Sequence, residues 1–157
     1  MANYKIITKL EKGDLVRVRR KAGYCHFGIA SSDNTVIHYS DFGSDSVLDP
    51  SKVKVIETSL KDFLQGDNLE IRYPFDSPYS RDEIVSRARS YLGQYKFRDK
   101  GYDLATNNCE HFARYIYYNK ATSRQVKAAA VAAGVIGVAA IGVLAIKSVV
   151  DKTKKKK

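Results

Sequence analysis

A chain of 157 residues has room for one domain with a substantial core and a tail beyond it, and is short for two ordinary domains. Its charged and apolar fractions are those of a folded protein, which excludes wholesale disorder. Two cysteines, Cys25 and Cys109, are too few for a disulfide scaffold, and the first residues begin no apolar run of secretory length. A reducing compartment and thiol chemistry are therefore the first expectation. The net charge of +10 is uneven: residues 147–157 carry six Lys and one Asp, half of the excess. Such a tail suits a membrane surface or a nucleic acid, but no aromatics interleave with it, so no nucleic-acid partner is expected.

In chain order, strands come first. Leu15, Val16 and Val18 alternate with Arg17 and Arg19. The apolar runs around Phe27–Ala30 and Thr35–Tyr39 then flank Ser31, Ser32, Asp33 and Asn34, which predicts a hairpin with a polar turn. Val53 and Val55, then Leu69, Ile71 and Tyr73, alternate with charged residues and predict two more strands, with a helical turn near Leu60 to Leu64 between them. After Pro78 the period changes. Ser80 followed by Glu83 is a capping box, Ile84, Ala88 and Tyr91 keep helical spacing, and Gly93 suits the C-terminal cap. A second helix is expected from Asn107 to about Asn119. Strands followed by helices predict an α+β fold, an antiparallel sheet packed on helices.

Residues 128–146 hold no charge and no strongly polar side chain. As a helix they would span roughly 28 Å, close to the hydrocarbon thickness of a bilayer. The expected organisation is a catalytic domain at 1–125, a hydrophobic membrane-anchor segment at 126–147 and a basic tail at 148–157. The corresponding location faces the cytosol, anchored to an intracellular membrane by the C-terminal segment. Small residues spaced four apart, Ala130 with Gly134 and Ala133 with Gly137, would also allow self-association through this helix.

Candidate chemistry centres on Asn107-Asn108-Cys109-Glu110-His111-Phe112. With Asn107 as N-cap, Glu110 completes the box and Cys109 falls in the first turn, where unpaired N–H groups and the helix dipole favour a thiolate. Cys109, Phe112, Ala113 and Ile116 share one face, so the thiol is expected to point at the sheet. His111 lies about 200° around the helix from Cys109 and points elsewhere. That leaves His26 and His38, both on the predicted hairpin. With the turn centred on Ser32 they fall opposite each other on one face, where one imidazole could take the thiol proton while the other orients it. Strand alternation turns Cys25 away from His26, which disfavours Cys25 as nucleophile. A zinc site from His26, His38, Cys109 and His111 has suitable ligand types but lacks closely paired ligands. No metal and no cofactor is expected.

Gly13-Asp14-Leu15-Val16, Tyr24-Cys25-His26-Phe27, Val36-Ile37-His38 and Asn108-Cys109-Glu110-His111-Phe112 together resemble the lecithin:retinol acyltransferase-like family. Within it they are most similar to the HRAS-like suppressor phospholipase A/acyltransferases. The resemblance implies a permuted papain-like thiol hydrolase fold of the NlpC type. It implies a glycerophospholipid substrate at a membrane, whose acyl group passes to Cys109 as a thioester and on to water, an amine or a lysolipid. By motif matching Cys109 is the nucleophile, His26 the base and His38 the orienting residue, with Tyr24, Asn107 and Asn108 in support. The family usually has Trp after the first histidine; here it is Phe27. Two other functions fit the same residues: a papain-like amidase or peptidase, and a non-catalytic membrane adaptor.

Overall fold

The computed structural model describes residues 3–21, 23–41, 50–103, 107–121 and 123–133. The alternating runs form the strands β1 (Tyr4–Ile6), β2 (Leu15–Arg19), β3 (Cys25–Ala30), β4 (Thr35–Ser40) and β5 (Lys54–Ser59), then β6 (Leu69–Arg72). A five-residue helix, α1 (Leu60–Leu64), joins β5 to β6, where a helical turn is expected. The helices α2 (Arg81–Arg89), α3 (Cys109–Tyr118) and α4 (Arg124–Ala132) follow. The strands make one six-stranded antiparallel sheet in the order β1-β6-β2-β3-β4-β5. The α+β class, an antiparallel sheet packed on helices, is therefore what this chain adopts.

Alternation gives the sheet two apolar faces. Leu15, Phe27, Ile29, Ile37 and Tyr39 pack with Ile84 and Ala88 of α2 and with Phe112, Ala113 and Ile116 of α3. Val16, Val18, Ala30 and Val36 face the other way, with Leu69 and with Phe63 of α1. Each large side chain so buried contributes about 1.5–3 kcal/mol, so neither layer is dispensable.

The hairpin has the expected turn with a different register. Gly28, not His26, stands opposite His38, with Ile29 opposite Ile37 and Ala30 opposite Val36. Gly28 is needed there for space. A Cβ at this position would lie 2.5 Å from Val36 Cγ1 and 3.2 Å from Phe63 Cε2.

α2 starts as predicted: Ser80 Oγ accepts from the Glu83 N–H at 3.3 Å, and the Glu83 carboxylate accepts from the Ser80 N–H at 2.8 Å. Its end differs. The cap is Ser90, and the Gly93 N–H donates to the Val55 carbonyl at 2.8 Å instead, tying the turn after the helix to β5.

The expected C-terminal anchor is corrected by α4. Among the described residues no helix is long and apolar enough to cross a membrane. α4 covers nine residues and carries Arg124 and Lys127. At 1.5 Å per residue it reaches about 14 Å, roughly half of a hydrocarbon layer. The location expected from that anchor falls with it. The remainder of the apolar segment, including Gly134 and Gly137, and the basic tail lie outside the described residues.

Two glycines give a graded test of the packing. Gly13 (φ +80°) and Gly66 (φ +87°) both occupy the left-handed region, but only at Gly13 would a Cβ strike backbone, 2.8 Å from Arg81 Cα at the start of α2. Gly66→Ala is expected to cost about 1 kcal/mol for conformation alone. Gly13→Ala should cost about 1–3 kcal/mol more, because α2 must shift. Urea unfolding of the two variants separates the terms; equal costs would mean that α2 is not pressed against this loop.

Candidate active site

The first turn of α3 holds its backbone donors with side chains. The N-cap is Asn108, one residue later than expected: its Oδ1 accepts from the Glu110 N–H at 3.0 Å and the His111 N–H at 3.1 Å. The box closes through His111, not Glu110, since the Asn108 N–H reaches His111 Nδ1 at 3.2 Å. His111 is therefore a buried capping residue turned back along the helix. Asn107 instead organises the preceding loop. Its Nδ2 fans across the carbonyls of Phe97, Lys100 and Gly101 at 3.1, 2.8 and 2.9 Å. Released from the box, the Glu110 carboxylate is 1% exposed and accepts from Ser123 Oγ at 2.6 Å, which ties the N-cap of α4 to the first turn of α3.

Cys109 sits where a helix-start thiol should, buried on the inward face with Phe112, Ala113 and Ile116. Its sulfur meets the backbone N–H groups of Phe27, Glu110 and Cys109 itself, all of which favour a thiolate. Burial outweighs them and, with the nearby Glu110 charge, pushes the thiol up to about 12, so at neutral pH it is protonated. The Tyr102 hydroxyl faces the Cys109 N–H, and Tyr24 lies close enough to Tyr102 to help burial raise its pKa.

The two strand histidines meet. His26 Nε2 and His38 Nδ1 are 2.8 Å apart, and His38 Nε2 continues the chain to Thr58 Oγ1 at 3.0 Å. Being two residues from Gly28, His26 sits diagonally across from His38, on the same face. Phe63 covers both rings, with centroids 5.4 and 5.2 Å away. Arg20 holds that cover in place: its guanidinium donates to the Phe63 and Leu64 carbonyls, each at 2.7 Å, and pairs with Asp67 at 3.0 Å. Burial, reinforced by the Arg20 charge, drives His38 down to about 3 and His26 well below its ordinary range, where the neighbouring His38 adds to the effect. Both imidazoles are neutral.

The structure thus brings His26 and His38 together, and among the described residues no hydrogen bond joins either imidazole to Cys109, whose sulfur lies towards the Phe27 N–H. Their rings share the Phe63 layer, whereas α3 packs on the opposite face with Phe27 and Ile29. Alternation places Cys25 on the α3 face, half-buried near Arg17, Arg19, Glu70 and Glu110. Cys25 and His26 do face opposite ways, as expected, with the consequence that Cys25 is the one on the side of Cys109. Among the described residues no group of three or more His, Cys, Asp or Glu gathers as a metal set. Thr58, Phe63, Arg20 and Tyr102 escaped the sequence reading. Their parts depend on register and on loop course, which no short-range pattern reveals.

An α+β domain with a cysteine opening a buried helix and two hydrogen-bonded strand histidines ahead of it defines a narrow class. Residues 8–122 match the lecithin retinol acyltransferase family, and the chain belongs to that family. It is 33% identical over 149 residues to human phospholipase A and acyltransferase 2, covering 88% of this chain and 86% of that protein. Against rat phospholipase A and acyltransferase 1 it is 31% identical over 141 residues, covering 83% and 80%. Human phospholipase A and acyltransferase 4 is likewise 31% identical, over 145 residues, covering 85% and 84%.

The depressed imidazoles make stability depend on pH. Above the ordinary value of 6.5 both are neutral in either state and contribute nothing to the dependence. Below it the unfolded chain takes up protons that the folded one refuses, so stability falls with pH until the folded values are passed, near 3 for His38. Each imidazole should remove up to about 1.4 kcal/mol per pH unit in that window. Between pH 6.5 and 5, above most carboxylate titrations, the unfolding free energy of the wild type should fall more steeply than that of His38→Gln. Parallel slopes would mean that His38 is not held neutral by burial.

Proposed function

We propose that the chain is a cysteine-dependent phospholipase A and phospholipid acyltransferase built on a permuted papain-like fold. Cys109 is the nucleophile, His26 the base and His38 the residue that orients it, with Tyr24, Asn107 and Asn108 supporting the helix mouth. The observation that carries the reading is Cys109 itself: an inward thiol on the first turn of α3, its sulfur met by three backbone N–H groups, one of them from Phe27, the neighbour of His26. The names of the relatives supply the lipid substrate.

A base at His26 Nδ1 needs one tautomer. His26 Nε2–H then donates to His38 Nδ1, and His38 Nε2–H donates to Thr58 Oγ1, leaving His26 Nδ1 as an acceptor. The thiol proton passes to that nitrogen while sulfur attacks the ester carbonyl. The lysophospholipid leaves with the proton, and water or an amine then resolves the thioester, again through His26. Reaching sulfur requires the His26 ring to bring Nδ1 towards the Phe27 N–H at the sulfur while Nε2–H stays on His38. The chain is suited to that movement. Among the described residues β3 pairs with β4 from Gly28 to Ala30, and residues 25–27 pair with β2. Bringing the imidazole beside the sulfur would also stabilise the thiolate that burial disfavours, as an ion pair.

Fatty-acid release from phosphatidylcholine, with mass analysis of the acyl adduct, tests the reading. Cys109→Ala and His26→Ala should each lose at least about a thousandfold in turnover. Thr58→Val should lose roughly tenfold, with an altered pH profile, because the tautomer is no longer fixed. Undiminished turnover in Cys109→Ala would sink the mechanism.

A further inference from the structure

The loop between α2 and α3 presents apolar side chains to solvent on a backbone that is firmly held. The Val55 N–H donates to the Gln94 carbonyl at 3.0 Å, the Gly93 N–H to the Val55 carbonyl at 2.8 Å, and the Tyr39 hydroxyl to the Tyr95 carbonyl at 2.7 Å. Phe97, fully buried, anchors the loop from beneath against Tyr91, Phe112 and Tyr115. On that support Leu92 is 38% exposed and Tyr95 53% exposed. Fraying does not explain the exposure, since the backbone on either side is bonded to the sheet.

Cations adjoin these two side chains in the loop and on β5. Lys52, Lys96, Arg98 and Lys100 are exposed, and the ammonium of Lys54 stands 5.8 Å from the centre of the Tyr95 ring, with Asp99 the single acid in this stretch of the loop. The loop lies at the cysteine end of α3. Tyr39, bonded to it, stacks edge-on against Tyr102 at 5.1 Å, and the Tyr102 hydroxyl faces the Cys109 N–H. A second exposed aromatic with a lysine, Tyr73 with Lys5 at 5.3 Å, is near the other end, where Asp76 and Ser77 bond Tyr117.

We propose that the Leu92–Lys96 loop, with its basic surround, is an interfacial docking surface for an anionic phospholipid bilayer. Leu92 and the Tyr95 ring enter the headgroup layer while the lysines meet lipid phosphates and carboxylates, the arrangement that an aliphatic and aromatic tip inside a cationic ring favours. The surface delivers the cysteine end of α3 to the layer in which the ester lies. This rests on the phospholipid reading of Cys109 and adds where the lipid is met.

The test is co-sedimentation of the full chain with vesicles of phosphatidylcholine, with and without phosphatidylserine, alongside turnover on vesicles and on a short-chain phospholipid dispersed as monomers. Binding should be stronger with phosphatidylserine. Leu92→Ser with Tyr95→Ser, and separately Lys54→Glu with Lys96→Glu, should weaken it roughly tenfold and slow vesicle turnover to match, leaving monomer turnover unchanged. Tyr73→Ser should behave as wild type. Cys109→Ala should bind vesicles normally without turnover; if it binds and still turns over, the thiol mechanism fails and the surface stands. Wild-type indifference to phosphatidylserine would overturn the proposal and leave the loop for a protein or nucleic acid. It would equally be overturned by unaltered binding in both double variants, by a comparable loss in Tyr73→Ser, or by an equal loss of monomer turnover.

Discussion

The pairing of Gly28 with His38 is the constraint from which the arrangement of the candidate site follows. It sets His26 diagonally across from His38, close enough for a 2.8 Å hydrogen bond, and leaves room above Gly28 for the Phe63 ring to cover both imidazoles. Any larger residue at 28 would press on Val36 and Phe63 together. The same pairing fixes which side chains of β3 face α3. Phe27 and Ile29 take that side and build the main core with Phe112 and Ala113. Core and histidine pair are two consequences of one register.

Register also explains what could be read in advance. A turn centred on Ser32 puts His26 directly opposite His38, whereas the true pairing puts Gly28 there. The difference displaces the partner strand by two positions, an even number, so every side chain keeps its face. The expectation of neighbouring imidazoles survives for that reason; a slip of one would have separated them. Other features depend on local chemistry and were legible directly. The capping box at Ser80, the polar turn from Ser31 to Asn34 and the inward stripe from Cys109 to Ile116 all repeat short-range rules that tertiary contacts did not override. The C-terminal span is of another kind: its reading rested on composition over a long window, and α4 brings charges at Arg124 and Lys127 and ends at Ala132.

Features read less well are those in which two residues compete for one role. Asn107 and Asn108 are both good caps, and the sequence rule chose the one that made Glu110 the third helical residue. Asn108 wins because Asn107 satisfies three carbonyls of the 97–101 stretch, a set of partners that no local pattern reveals. That choice frees Glu110 for Ser123, and so ties the start of α4 to the turn that carries the thiol. β1 was missed because three residues are too few for a period to register, and it exists through pairing with β6.

The faces of β3 sharpen what catalysis by Cys109 and His26 demands. Neighbours on a strand point to opposite sides, so Cys25 and His26 cannot both look at α3, and Cys25 occupies that side. Burial pushes the Cys109 thiol up to about 12 and holds His26 and His38 neutral, so each group keeps its uncharged form. Joining them exchanges two buried neutral groups for an ion pair, which a substrate that seals the site from water would favour. The movement falls on residues 25–27, the stretch of β3 that pairs with β2 ahead of the β4 pairing from Gly28 to Ala30. If the chain works by this chemistry, His26 shifts beneath the Phe63 ring that covers it. An acyl adduct on Cys109 should then coincide with altered contacts at Phe63, the residue that now covers the imidazoles.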